Sequence, residues 1–586
     1  MLVSSLFRRL CRPLRSEPVV FLASWGLLLQ NTVCHFRWLL WPSAIALVCV
    51  AAFYAYVVSA VVSALRARWL KLVVYALLLL LLIVNAFLVV HFRSCISPNT
   101  LMLLFETTPG ESAEFLTTYL PRLSSLAVVA GVGLVALLLW FVEHWWQRRR
   151  TAAGTPFMLS AGWGASLAVF PALGLLAMLW LYASLFSCRS PEDVEDWTRS
   201  HHAEGADDVT TLICSLVSLY LSDQAVQRAV QRIASLEPTE AHSAFSDDSL
   251  HVVLVIGESL NKHHCSVYGY PLATTPWLTA QRDAGRLWVF RDVVTPFNLT
   301  SHVLKNMLST SSLGLGERWH DGSFLPAVVC RAGYEVYFWD NQYSAGRGQS
   351  FDFALNSFLH HPDVASACYT STNKRSYEFD GDLVADWSRC AKTGRLRFSI
   401  VHLMGQHVAF YCRYPHGGPF DHFSADSIIA GPRRPWLTEY HRQVIADYDN
   451  AVRYNDSVLS DIAQAVSAEP SVVLFVSDHG EEVFDERPLQ GRQFLSVVSD
   501  DVRRAEYEVP MVLWVSPRVQ LSDSLRSALD RAVARPLSTD NLSPFIIGTL
   551  CGIALPDSLR RRDVASPDYV CPPIHGFSAT KIAKTL

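Results

Sequence analysis

The 586-residue sequence is poor in charge: Asp, Glu, Lys and Arg make up 17% of it, against about a quarter in ordinary globular proteins. It has no surplus of positive charge either. Its 49 basic and 53 acidic residues give a formal net charge of -4, which offers no case for a nucleic-acid binder. No CxxC pair occurs among the 13 cysteines, so a thiolate zinc site is not expected. What is abundant is apolar, at 51% of the chain, far too much for a disordered protein.

The apolar excess lies at the front. Five stretches, 18–36, 38–65, 72–90, 123–142 and 151–188, contain no Asp, Glu, Lys or Arg, and no comparable run follows Cys188. About 20 apolar residues cross the hydrocarbon as a helix. Gln30, Asn31 and His35 dilute the far end of the first stretch. Arg8, Arg9, Arg12 and Arg15 precede it, Arg66, Arg68 and Lys71 separate the second and third, and arginines 148–150 separate the fourth and fifth. Between the third and fourth stand Glu106, Glu111 and Glu114 instead. Basic loops stay cytoplasmic, so five spans put all three basic clusters inside and residues 189–586 outside, whereas four would leave the first arginines on the wrong face. A basic leader before an apolar run also resembles a secretory signal, but Gln30-Asn31-Thr32-Val33 is a poor cleavage site. Ten cysteines, Cys95 and the nine from Cys188 onward, fall on the outer side, where disulfides are allowed and their pairing is left open.

The expected domains are a transmembrane domain at 1–188, a connector with an amphipathic helix at 189–245, and an outer domain at 246–586. In the connector, Leu212, Leu216, Leu219 and Leu221, followed by Ala225, Val226, Val230 and Ile233, have helical spacing. Such a helix could rest on the bilayer or face the core of the outer domain. Pro238 and the Ser/Asp run to Ser249 mark a boundary.

From His251 short β-rich runs alternate with helical ones. Residues 251–256 (HVVLVI), 335–339 (EVYFW), 398–401 (FSIV) and 471–476 (SVVLFV) are nearly continuous apolar, as parallel strands covered on both faces are. The layout is α/β with a mostly parallel sheet, and ligands bind beyond the carboxyl ends of such strands. There the sequence places Gly257-Glu258-Ser259, Asp340-Asn341-Gln342, His402 with Gly405-Gln406-His407, and Ser477-Asp478-His479-Gly480-Glu481-Glu482. Glu258, Asp478 and His479 form an O/O/N set for a divalent ion, with zinc favoured by the mixed ligands. Taken singly, Asp478 could cap a helix and Glu258 could pair with an arginine.

The segments VLVIGESLNKHHCSVYGYPLATTPWL, VVTPFNLTSHVL, IVHLMGQH, YDNAVRYNDSVL and FVSDHGEEVFD, with LMLLFETTPGESAEFL between the third and fourth apolar stretches, resemble the bacterial phosphoethanolamine transferases. These are inner-membrane enzymes with five spans and a sulfatase-like α/β/α catalytic domain of the alkaline phosphatase superfamily in the periplasm. The resemblance implies that Glu258, Thr300, Asp478 and His479 hold one catalytic zinc ion, a second being left open, and that Thr300 is the nucleophile that carries phosphoethanolamine. A bound zinc lowers the pKa of an oxygen ligand by many units, and an unassisted threonine hydroxyl is hardly ionised at neutral pH. Without the resemblance, Thr300 and its neighbour Ser301 read equally well as helix caps.

The resemblance further implies that His407, in GQH, contacts the phosphoethanolamine group, that Arg347, in DNQYSAGRGQ, serves phosphate oxygens, and that Thr107 and Glu111 help to hold the lipid head group. Where the family usually has a further histidine ahead of VPMVLW, this sequence reads SVVSDDVRRAEYEVP, with Arg503 and Arg504; an arginine would then serve the phosphate, or the site is weakened. The implied reaction moves phosphoethanolamine from phosphatidylethanolamine to lipopolysaccharide, on lipid A or a core sugar, through a phospho-threonine. Transfer to periplasmic glucan and a membrane-tethered sulfatase or phosphodiesterase are the alternatives, although no C/S-x-P-x-R motif surrounds Thr300. A non-catalytic membrane scaffold is the reading from another class.

Overall fold

A computed structural model of the chain describes residues 9–35, 41–65, 68–92, 96, 115–117, 119–152, 161–201, 206–242, 245, 249–342, 358–390, 393–429, 434–492 and 498–574. They form two compact units, Met1–Gln224 and Ala225–Leu586. Thr107, Glu111 and Arg347 lie outside the described residues.

The first unit contains α1 (Pro18–Leu28), α2 (Trp41–Leu65), α3 (Arg68–Phe92), α4 (Leu123–Ala152), α5 (Ala161–Leu185) and the beginning of α6 (Asp208–Ala234). Among the described residues five helices, α2 to α6, are long and apolar enough to cross a membrane. Four of them match the second to fifth uncharged stretches. The first stretch forms two shorter helices, α1 and a turn of helix at Gln30–His35. The amides that dilute it have a polar partner: Gln30 Nε2 donates to Asp208 Oδ2 at 2.9 Å, and Asn31 Nδ2 and Asn85 Nδ2 donate to Asp208 Oδ1 at 3.3 and 3.0 Å. A buried carboxylate is tolerated only with such donors. α2 and α5 pack closely enough that a Cβ on Gly174 would stand 1.9 Å from the Cys49 carbonyl oxygen, an approach of backbones that only glycine permits here.

The stretch 189–245 carries a helix at Pro191–Ser200 and then α6. From Ala225 onward α6 belongs to the second unit, where Ala225, Ala229 and Ile233 are buried in the core. The division between the units therefore falls within this helix.

The second unit is built on a seven-stranded sheet of β1 (Leu250–Gly257), β2 (Leu287–Phe290), β3 (Glu335–Asp340), β4 (Ser371–Thr372), β5 (Leu396–His402), β6 (Ser471–Ser477) and β7 (Met511–Val515), in the order β2-β7-β6-β1-β5-β3-β4. β6, β1, β5, β3 and β4 are parallel, and β7 runs antiparallel to both β6 and β2. The apolar runs in the sequence are the central strands because both of their faces are covered. All of β1 is buried: Val252, Leu254 and Ile256 enter one core, and Val253 and Val255 the other, as alternation along a strand requires. On the first face lies α7 (Thr300–Met307) with Val303, Leu304 and Met307. On the second lies α8 (Glu439–Val466) with Ile445, Tyr448, Val452 and Leu459.

Register decides what the sheet presents at its edge. Ile256 pairs with both His402 and Val476, Gly257 with Ser477, and Asp340 with His402. The carboxyl ends of β1, β5, β6 and β3 are therefore level, and the residues after each emerge side by side. The eleven described cysteines are free thiols.

Candidate active site

β1 delivers Glu258 and β6 delivers Asp478 and His479, all three wholly buried. One ligand atom from each lies within 4.8 Å of the others. His479 Nε2 is 3.3 Å from Glu258 Oε1 and 3.1 Å from Asp478 Oδ2. Thr300, the first residue of α7, completes the group: its Oγ1 donates to Glu258 Oε2 at 2.9 Å and stands 3.2 Å from His479 Nε2. It is half-buried, so the hydroxyl is the member of the group within reach of solvent. Neither cap reading describes these side chains. The N-cap of α7 is Leu299, with no side-chain cap, and Asp478 Oδ1 accepts from the backbone N–H of Ser259 at 3.1 Å and of His479 at 2.7 Å, not from a following helix.

Supporting groups fix each side chain. Ser259 Oγ donates to Glu258 Oε1 at 2.6 Å, and Gln342 Nε2, just past β3, donates to Glu258 Oε2 at 3.1 Å. Ser259 adopts a left-handed backbone, φ 58°, which a non-glycine residue keeps only where its surroundings enforce it; Tyr448 on α8 does so by donating its hydroxyl to the Ser259 carbonyl at 2.6 Å. His479 Nδ1 donates to the Gly480 carbonyl at 2.9 Å. That bond fixes the tautomer and turns the Nε2 lone pair inward. The pocket thus aims an imidazole lone pair and two carboxylates at one point, and Asp478 Oδ2 receives no hydrogen bond there. This donor set fits a divalent cation with mixed N and O ligands. Burial and the neighbouring Glu258 carboxylate raise the Asp478 carboxyl from its ordinary value, while His479, His407 and Arg492 hold Glu258 well below its own against the effect of burial.

His407 lies half-buried in the loop after β5, close enough for its charge to act on Glu258. Ser301, the neighbour of Thr300, is buried. Arg503 and Arg504 are engaged elsewhere, with Glu508 at 3.9 Å and Glu486 at 2.7 Å. Among the described residues an arginine does reach the pocket: Arg492, whose Nη1 is 2.7 Å from His479 Nε2. A short hairpin, Glu482–Val483 paired with Gln490–Gly491, carries the chain back to it. Nothing in the sequence around Arg492 marks it, because its neighbours meet it only through that return.

A level row of polar residues beyond the parallel strands, with a helix-starting hydroxyl beside two carboxylates and an imidazole, defines an α/β enzyme of the phosphatase and sulfatase kind. Residues 251–553 match the Sulfatase family, and the chain belongs to it. Its relatives include the phosphoethanolamine transferase CptA of Salmonella typhimurium, 28% identical over 433 residues that cover 72% of this chain and 70% of that one. Phosphoethanolamine transferase EptC of Escherichia coli (strain K12) is 26% identical over 435 residues, with the same coverage of 72% and 70%. The solved structure of the integral membrane protein lipooligosaccharide phosphoethanolamine transferase A (EptA) of Neisseria meningitidis covers 95% of this chain and 99% of its own, with a TM-score of 0.60 at 18% identity. The likeness to EptA is one of fold: an apolar helical region followed by a sulfatase-like domain.

Proposed function

We propose that this protein transfers phosphoethanolamine from phosphatidylethanolamine to lipopolysaccharide, at the periplasmic face of the inner membrane, by way of Thr300. The observation that carries the reading is the Thr300 hydroxyl, half-exposed at the start of α7 and 2.9 Å from Glu258 Oε2. Two relatives named phosphoethanolamine transferases support the identity of the group that moves. The five helices among the described residues that are long and apolar enough to cross a membrane suit a donor whose acyl tails stay in the bilayer.

Glu258, Thr300, Asp478 and His479 are the residues that would hold a zinc ion, which when bound supplies a Lewis acid that lowers the pKa of the threonine hydroxyl and offsets charge on the phosphoryl group. Glu258 Oε2 accepts the hydroxyl hydrogen bond at 2.9 Å, and the hydroxyl proton leaves to solvent as Oγ1 attacks. In the first half-reaction a bond forms between Thr300 Oγ1 and phosphorus, and the bond from phosphorus to the glycerol oxygen breaks. Diacylglycerol leaves as that oxygen takes a proton, with His407 as the donor in this reading. In the second, an acceptor hydroxyl gives its proton to the neutral His407 and its oxygen attacks the same phosphorus, while the bond from phosphorus to Thr300 Oγ1 breaks and that oxygen regains a proton from solvent. Two sequential displacements at one phosphorus give ping-pong kinetics.

The test uses the full-length protein with head-group-labelled phosphatidylethanolamine and lipopolysaccharide, beside Thr300→Ala. Label in the glycolipid with wild type alone supports the reading. Free phosphoethanolamine with an unlabelled glycolipid makes the protein a hydrolase, and no release of label removes the proposal.

A further inference from the structure

Arg492 reaches the pocket, and its surroundings hold it there. Its Nε pairs with Glu481 Oε2 at 3.2 Å, and its Nη1 donates to the carbonyl oxygen of Asn298, two residues before Thr300, at 2.8 Å. The same Nη1 lies 2.7 Å from His479 Nε2. Because a guanidinium only donates, Nε2 is the acceptor in this contact, in agreement with the tautomer set by Gly480. The supports are themselves braced: Asn298 Nδ2 donates to Glu506 Oε2 at 2.7 Å, and Arg487 Nη2 donates to the other oxygen of that carboxylate at 2.7 Å.

We infer that Arg492 binds a non-bridging oxygen of the phosphoryl group during transfer, as a cation built into the chain beside the metal ligands. The inference rests on the phosphoryl-transfer reading above. An N–H on Nε2 and a divalent ion on Nε2 exclude each other, since both need the one lone pair. Once the ion takes it, Arg492 stays anchored to Glu481 and to the Asn298 carbonyl. A donor is then released beside Thr300, where the phosphorus must come. A planar guanidinium matches phosphoryl oxygens in a way that an ammonium does not.

The two roles of Nη1 predict effects of opposite sign. In Arg492→Ala the competitor for Nε2 and a nearby positive charge are gone, so zinc binds more tightly, by about tenfold for one such hydrogen bond. Inorganic phosphate, used as the probe on the zinc-loaded full-length protein, binds more weakly by about tenfold or more, the worth of a charge-assisted contact. Arg492→Lys keeps the charge without the fork and falls between. Titration calorimetry with phosphate and a zinc competition assay read both quantities without any turnover. A merely structural role would weaken both ligands together, and that result overturns the inference, as does unchanged phosphate affinity in Arg492→Ala. If Arg492→Ala does not fold, Arg492→Lys decides: phosphate affinity equal to wild type rejects the role. Failure of phosphoethanolamine transfer would show in the Thr300→Ala comparison and leaves these binding results standing, so the two failures are distinguishable.

Discussion

Gly405 and Glu258 meet backbone to backbone. A Cβ at position 405 would stand 2.7 Å from the carbonyl oxygen of Glu258 and 2.9 Å from its nitrogen, and Gly405 itself has φ +50°. The following residue ties the contact, the N–H of Gln406 donating to the Glu258 carbonyl at 2.9 Å. Gly405→Ala must therefore displace the chain that carries Glu258. It should cost about 1–3 kcal/mol from overpacking and lower zinc affinity, read by thermal unfolding and by metal analysis of the purified protein.

Thr300→Ala should reduce phosphoethanolamine transfer by about a thousandfold or more, the scale seen when a nucleophile is removed. Thr300→Ser keeps an oxygen and should retain measurable transfer. Mass spectrometry of the peptide that contains residue 300, after exposure to donor without acceptor, should show the added phosphoethanolamine in wild type and not in the alanine variant.

Ser259→Ala removes the 2.6 Å donor to Glu258 Oε1 without touching a proposed ligand. Partners that orient metal ligands are worth about 10–100-fold in metal affinity, and a loss of that size is expected in zinc competition. An unchanged affinity would show that Gln342 and Thr300 orient Glu258 without help.

A buried charge cluster away from the pocket sets a pH dependence of stability. His264 Nδ1 donates to Asp449 at 2.6 Å and its Nε2 to Asp485 at 2.5 Å, while Tyr270 and Arg434 bind the same two carboxylates. Burial disfavours the imidazolium, but Asp485 and Asp449 outweigh it and raise the pKa to about 10. A folded pKa above the unfolded value of ~6.5 means that the stabilisation is complete below that pH. It is lost as pH rises toward about 10. Wild type should lose melting temperature across that interval more steeply than His264→Ala. The substitution should itself cost about 3–5 kcal/mol at neutral pH, since it leaves Asp449 buried without its cation, while Asp485 keeps Arg434 at 2.8 Å.

The parts of this structure visible in the sequence are those where one physical cause dominates. Strands covered on both faces must be apolar throughout, so 251–256, 398–401 and 471–476 stand out, and level register then puts Glu258, His402 and Asp478 at one edge. Thr300 has no such cause. Its short segment NLTSH says nothing of chemistry, and only resemblance singled it out. Arg492 was invisible because a hairpin brings it to His479 from 13 residues away, in a stretch with no periodicity. Gln30 and Asn31 were legible only as weak points of an apolar run; that they serve Asp208 depends on a contact no local pattern encodes.

That last contact has a bearing on biogenesis. Gln30 and Asn31 find their acceptor 178 and 177 residues further along the chain, so during synthesis these amides wait in or near the lipid while most of the hydrophobic region is still being made. These two contacts can therefore form only after residue 208 has been made, and the polar end of the first apolar stretch gains its acceptor last.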